Sequence, residues 1–264
     1  MYTFFFILAV LFYGIGTFIQ PHHQRTLLGL TFLAWLTHGA ALFSQLFIHS
    51  GLHLSFALML SLSLWVSVVL YWIENLNFSL DGLRVFVFPS AALSIVLSFF
   101  SPTHPVLLTQ TPVLTGHILI SILAYGILTI AAFHAALMMI AEDRLHQHRY
   151  TQTWITPFFD RLPALLTMEK LLFRFITIGF SLLTLTILSG VIFSKQLLNQ
   201  PLSWDHKTLF SILSWGFFAL LLLGRQYYGW RGKTALRFTL LGFSTLLLAY
   251  VGSHFILEII LKRG

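Results

Sequence analysis

The chain has 264 residues, of which 57% are apolar and only 9% charged, whereas soluble domains carry roughly 25% charged residues. A water-soluble surface is thereby excluded, and lipid is the main solvent. Cysteine is absent, which excludes disulfide staples, thiolate nucleophiles and Cys-ligated zinc or iron–sulfur centres.

A transmembrane helix needs about 20 mostly apolar residues. Eight runs are read as spans: 2–19, 27–48, 55–73, 85–100, 116–141, 171–194, 207–226 and 238–257. The first lacks a basic leader and a small-residue cleavage site, so it is expected to stay as a helix. The fourth is short and ends at Ser101-Pro102. Pro21, Asn75, Asp81, Pro102, Pro105 and Pro112 mark the breaks, and Pro157 and Pro163 interrupt 142–170, the longest polar segment. The expected fold is all-α, a polytopic membrane helical bundle of about eight transmembrane helices forming one integral membrane domain over 1–264.

The formal charge of +7 is not read as a nucleic-acid footprint, because the basic residues sit in loops beside helices. With the N-terminus outside, 11 of the 15 Lys and Arg fall on the inner side, and only Lys195, Lys207, Lys262 and Arg263 fall outside. The positive-inside rule therefore orients both termini outward.

The ligand-capable residues are the 12 histidines. His22, His23, His146 and His148 lie near the inner face and read as solvated interfacial groups, as do His49 and His53 in a short outer loop. His117 opens span five after Thr115-Gly116, where a neutral imidazole could ligate haem iron or simply hydrogen-bond in the headgroup zone. His254, near the outer end of span eight, could share its layer. His38 sits in mid-span, about 16 Å along the helix from either end, and either pairs with another helix or lines a cavity. His134 lies about 25 Å deeper than His117 on one helix, so the two cannot serve one iron. Trp204 and Asp205 precede span seven as an interface anchor and N-cap or as an aromatic platform for a macrocycle. The inner turn Gly229-Trp230-Arg231-Gly232-Lys233 reads as a positive-inside turn with an aromatic anchor, or as a basic pair that attracts haem propionates or an anionic partner.

Taken in order, four stretches resemble the CcsA-type cytochrome c assembly family, in its short YpjD/HemX-like branch. They are His117-Ile-Leu-Ile-Ser-Ile-Leu-Ala-Tyr125; Met168-Glu-Lys-Leu-Leu-Phe-Arg174 with Gly179-Phe180, Thr184 and Gly190; Trp204-Asp205-His206-Lys207 with Trp215; and Gly229-Trp-Arg-Gly-Lys233 with Gly242-Phe243 and Tyr250-Val-Gly252. The match covers roughly 115–255, and the first spans match more loosely around His38-Gly39-Ala40-Ala41-Leu42.

The resemblance implies a bacterial inner-membrane protein that handles haem at the outer face. The implied haem contacts are His117, Trp204, Asp205, His254, His38 and Trp215, with His117 and His254 as iron ligands and b-type haem bound non-covalently. The sequence departs from the family signature at Asn199-Gln-Pro-Leu-Ser203, where several tryptophans are usual, and at Leu223, where a histidine is common. No bond-making residue is expected. The implied partners are haem, the bilayer, and either cytochrome c assembly components or a haem-biosynthesis enzyme, with no nucleic acid. Two other readings stand beside this one: a HemX-like regulator of haem synthesis without lyase activity, and a small-solute permease using His38 and His134.

Overall fold

The computed structural model describes residues 2–19, 24–48, 51–78, 80–101, 104–106, 112–147, 162–197 and 206–249. Eight α-helices dominate them: α1 (Tyr2–Phe18), α2 (Gln24–Leu46), α3 (Phe56–Asn77), α4 (Arg84–Phe100), α5 (Pro112–Gln147), α6 (Leu165–Leu197), α7 (His206–Tyr228) and α8 (Gly232–Leu247). Among the described residues, six helices are long and apolar enough to cross a membrane, and a shorter apolar helix covers Thr3–Phe18. The fold is a polytopic helical membrane bundle.

The helices keep their backbone polar groups internal, as hydrocarbon requires. Their hydroxyls follow the same rule. Thr17, Thr31, Ser67, Thr177 and Thr239 each donate to the carbonyl four residues back, satisfying themselves without water. Outward positions such as Phe4, Phe43, Leu93 and Leu188 are exposed, which is the apolar surface that lipid solvates.

Several boundaries differ from expectation. Span two was expected to run to residue 48, but α2 ends at Leu46 and the chain continues as strand β1 (Phe47–Ile48). This strand pairs antiparallel with β2 (Gly51–Leu54), which pairs in turn with β3 (His104–Val106), in the order β1-β2-β3. His53, expected in a loop, therefore lies in a strand opposite Pro105. No run there is long enough to show a period of two, so only pairing across the chain reveals these strands. Helices α5 and α6 outrun spans 116–141 and 171–194 at both ends, because polar residues extend a helix once it has left the hydrocarbon. Helix α8 starts at Gly232 instead of residue 238.

Within the single membrane domain expected for 1–264, the chain divides into two compact units. Unit 1 comprises Met1–Leu107 and Ala136–Lys170; unit 2 comprises Leu108–Ala135 and Leu171–Gly264.

In unit 1, α1 packs on α2 and α4, and α3 packs on α2 and α4, so the four helices form a ring. Ser55 caps α3 by accepting from the Leu58 N–H at 3.1 Å. Gly16 lets the Phe88 ring against α1. The Trp35 and Trp65 rings stack at 4.8 Å, while Trp65 Nε1 donates to the Trp35 carbonyl at 2.9 Å. The α3–α4 turn is closed by Asn75 Oδ1 accepting from the Leu80 N–H at 2.9 Å. Buried Arg84 donates to the Ile19 carbonyl just past α1. A cation at that point complements the negative end of the α1 dipole.

Unit 2 holds the first part of α5 with most of α6 and all of α7 and α8. Gly179 admits Leu128 against the α6 backbone, and Gly242 does the same for Phe218 against α8, so small residues set the interhelical spacing. Gly229 (φ 66°) adopts the left-handed conformation after α7, and its N–H donates to the Arg225 carbonyl at 3.2 Å. This is the αL helix stop that glycine permits without a Cβ clash. The Trp230 ring then folds back over Gly224 and packs on Phe238 at 4.9 Å. A Cβ at residue 224 would run into that ring. Gly224→Ala is therefore expected to cost about 1–3 kcal/mol by overpacking. Thermal unfolding of the detergent-purified variant checks this, and wild-type stability would contradict it.

Candidate functional site

His117 lies near the start of α5 and is half-buried. Its Nδ1 meets Ser189 Oγ of α6 at 2.9 Å. Ser189 Oγ also lies 3.0 Å from the Thr186 carbonyl, so the imidazole is joined to α6 through a hydroxyl that can donate or accept. An orienting partner on one ring nitrogen is the arrangement that metal-ligating imidazoles carry. Gly190 keeps α6 close: a Cβ there would stand 3.3 Å from His117 Cε1.

Trp215 of α7 belongs to the same unit. Its Nε1 donates to Thr184 Oγ1 at 2.9 Å and its ring lies 5.5 Å from that of Phe180. By helical rise, Thr184 is about 7 Å deeper along α6 than Ser189. Trp215 therefore ties α7 to α6 below His117.

The pairings His117–Ser189, Leu128–Gly179 and His134–Phe175 make α5 and α6 antiparallel. Trp215–Thr184 with Arg225–Phe173 does the same for α6 and α7, and Ser214–Gly242 with Phe217–Phe238 for α7 and α8. The start of α5, the end of α6, the start of α7 and the last described residues after α8 consequently share one end of unit 2. Trp204 and Asp205, which directly precede α7, and His254, which follows α8, lie outside the described residues.

His38 is elsewhere. It is fully buried in unit 1, with Nδ1 hydrogen-bonded to Tyr13 Oη at 3.0 Å and Nε2 to Ser61 Oγ at 2.9 Å. Ser94 Oγ donates to Ser61 Oγ at 3.2 Å. One polar chain thus joins α1, α2, α3 and α4, and both imidazole nitrogens are engaged. His134 is buried in unit 2, its Nδ1 facing the Ile130 carbonyl at 3.3 Å. Its Nε2 has no partner among the described residues. No group of three or more His, Asp or Glu placed to hold a metal occurs among them.

Ser189, Thr184, Tyr13, Ser61 and Ser94 were not singled out as site residues by the sequence. A serine-glycine pair inside leucine-rich α6 was the only local hint of Ser189. Thr184 falls in a stretch that carries the family resemblance, and nothing local marks Tyr13, Ser61 or Ser94, since hydroxyls are common in membrane helices.

Comparison with known proteins adds lineage. The family described as Cytochrome C assembly protein matches residues 30–261. The Inner membrane protein YpjD of Escherichia coli (strain K12) is 30% identical over 175 residues, covering 66% of this chain and 64% of that protein. The chain thus aligns with a little under two thirds of that relative. Protein HemX of Brevibacillus brevis is 26% identical over 258 residues, 94% of this chain and 92% of its own length. The Cytochrome c biogenesis protein CcsA of Heterosigma akashiwo is 34% identical over 97 residues, but the match covers only 30% of that protein.

Proposed function

Because this chain belongs to the cytochrome c assembly protein family, we propose that it is an inner-membrane protein that binds haem at the outer end of unit 2 and presents it to a partner. The observation carrying this reading is the His117–Ser189 contact. With Nδ1 held by Ser189, the reading gives iron ligation to Nε2. The described start of α7 and the last described residues after α8 share this end of the unit; Trp204-Asp205 as platform and His254 as second ligand belong to the proposal through their sequence adjacency to those helices. Covalent attachment through thioether bonds is chemically closed to a chain without cysteine, so the haem is held non-covalently, as b-type. The bias of Lys and Arg toward the loops at the opposite end supports an outer location for this one.

A spectrum tests the proposal. Protein purified in detergent from haem-replete cells is expected to show a Soret band and, when reduced, the resolved bands of a low-spin haem that acidic organic solvent extracts. Protein without Soret absorption would overturn the reading.

A second reading, regulation of haem synthesis without lyase activity, draws on coverage. The HemX match runs through 94% of the chain, whereas CcsA is matched over 30% of its own length. Deletion separates the two: accumulation of early haem precursors favours regulation, and loss of c-type cytochromes favours assembly.

A further inference from the structure

The α7–α8 turn carries chemistry that the haem reading leaves unused. Tyr227 and Tyr228 are 73% and 80% exposed, and Arg231, Lys233 and Arg237 are exposed beside them. No aspartate or glutamate occurs between residues 206 and 257, so this helical hairpin is uniformly cationic. Satisfying membrane topology would require only basic residues in a loose loop. Here the turn is built. Gly229 (φ 66°) and Gly232 (φ 51°) are both left-handed, and the Trp230 N–H donates to the Gly224 carbonyl at 3.2 Å. The Trp230 ring is packed on Phe238, and the Arg225 guanidinium sits 3.4 Å over the Phe173 ring centre. The turn therefore presents its tyrosines and cations from a fixed backbone. It does so where apolar helices leave the hydrocarbon, the level at which tyrosine rings settle and lipid phosphates lie.

We propose that the segment 227–237 binds the headgroup of an anionic phospholipid, with Arg231, Lys233 and Arg237 facing the phosphate and the tyrosines lying along the glycerol region. Charge complementarity and depth select this occupant: a zwitterionic lipid offers the same tail but no net negative charge. The inference rests on the membrane-spanning fold and is independent of haem.

The full-length protein in nanodiscs of phosphatidylglycerol diluted in phosphatidylcholine, with co-purifying lipid identified by mass spectrometry, provides the test. Phosphatidylglycerol is expected to be enriched over its bulk fraction, and raised salt should reduce that enrichment in the wild-type protein. The R231Q/K233Q/R237Q variant should lose at least about five-fold, roughly the effect of a single basic residue near an anionic surface. The charge-conserving R231K/K233R/R237K variant should keep it, as should K207Q at the opposite end of α7. Salt-independent enrichment, unchanged enrichment in the triple glutamine variant, or an equal loss in K207Q would each overturn the proposal.

Discussion

Haem bound per protein molecule is expected to fall at least about ten-fold in His117→Ala, and the Soret band to collapse with it. The expectation follows from how the side chain is held. The Ser189 contact at 2.9 Å holds the ring orientation, so on the proposed reading the imidazole is already positioned for iron. Alanine removes the ligand itself and leaves half-exposed space that water can enter. Ser189→Ala separates ligation from orientation. The imidazole remains, but its rotation is no longer held, and lost outer partners of this kind typically weaken metal affinity about 10–100-fold. Haem titration of the two purified variants measures both effects. A His117→Ala protein with wild-type haem content and spectrum would remove His117 from the site.

The second large effect concerns stability. His38→Ala is expected to cost about 2–4 kcal/mol, from a buried cavity and from two hydroxyls left without their shared partner. Tyr13 and Ser61 are fully buried, so water cannot substitute for the imidazole. The estimate stays at the low end because side-chain hydrogen bonds between membrane helices average under 1 kcal/mol. Thermal unfolding in detergent should show the loss, while the haem spectrum per folded molecule stays unchanged. The opposite pattern, wild-type stability with haem lost, would support His38 as a haem contact and remove its role as a clamp of unit 1.

These two histidines show what could be read in advance. Both were singled out because ionisable groups in apolar helices are costly and need a reason to be there. The residues could be picked from the sequence, but their partners could not. His117 meets a serine more than seventy positions away, and His38 is held by a tyrosine on α1 and a serine on α3. Each pairing depends on the rotation and register of packed helices, and hydropathy is silent on both. The three short strands escaped notice for a related reason: β2 is recognisable as a strand only by its pairing with β1 and β3.

The sequence by itself determined that this chain lives in lipid, where its helices begin and end to within a few residues, and which family it resembles. Those properties are local: hydrocarbon rejects unpaired backbone groups and charge wherever they occur, so a window of about 20 residues suffices. Only the tertiary structure decided that His38 joins four helices of unit 1, that His117 and Trp215 both belong to unit 2, and that Ser189 meets the His117 imidazole. A hydrogen bond reports the meeting of two surfaces, and that meeting is set by small residues such as Gly179, Gly190 and Gly242, which allow helices distant in the chain to approach.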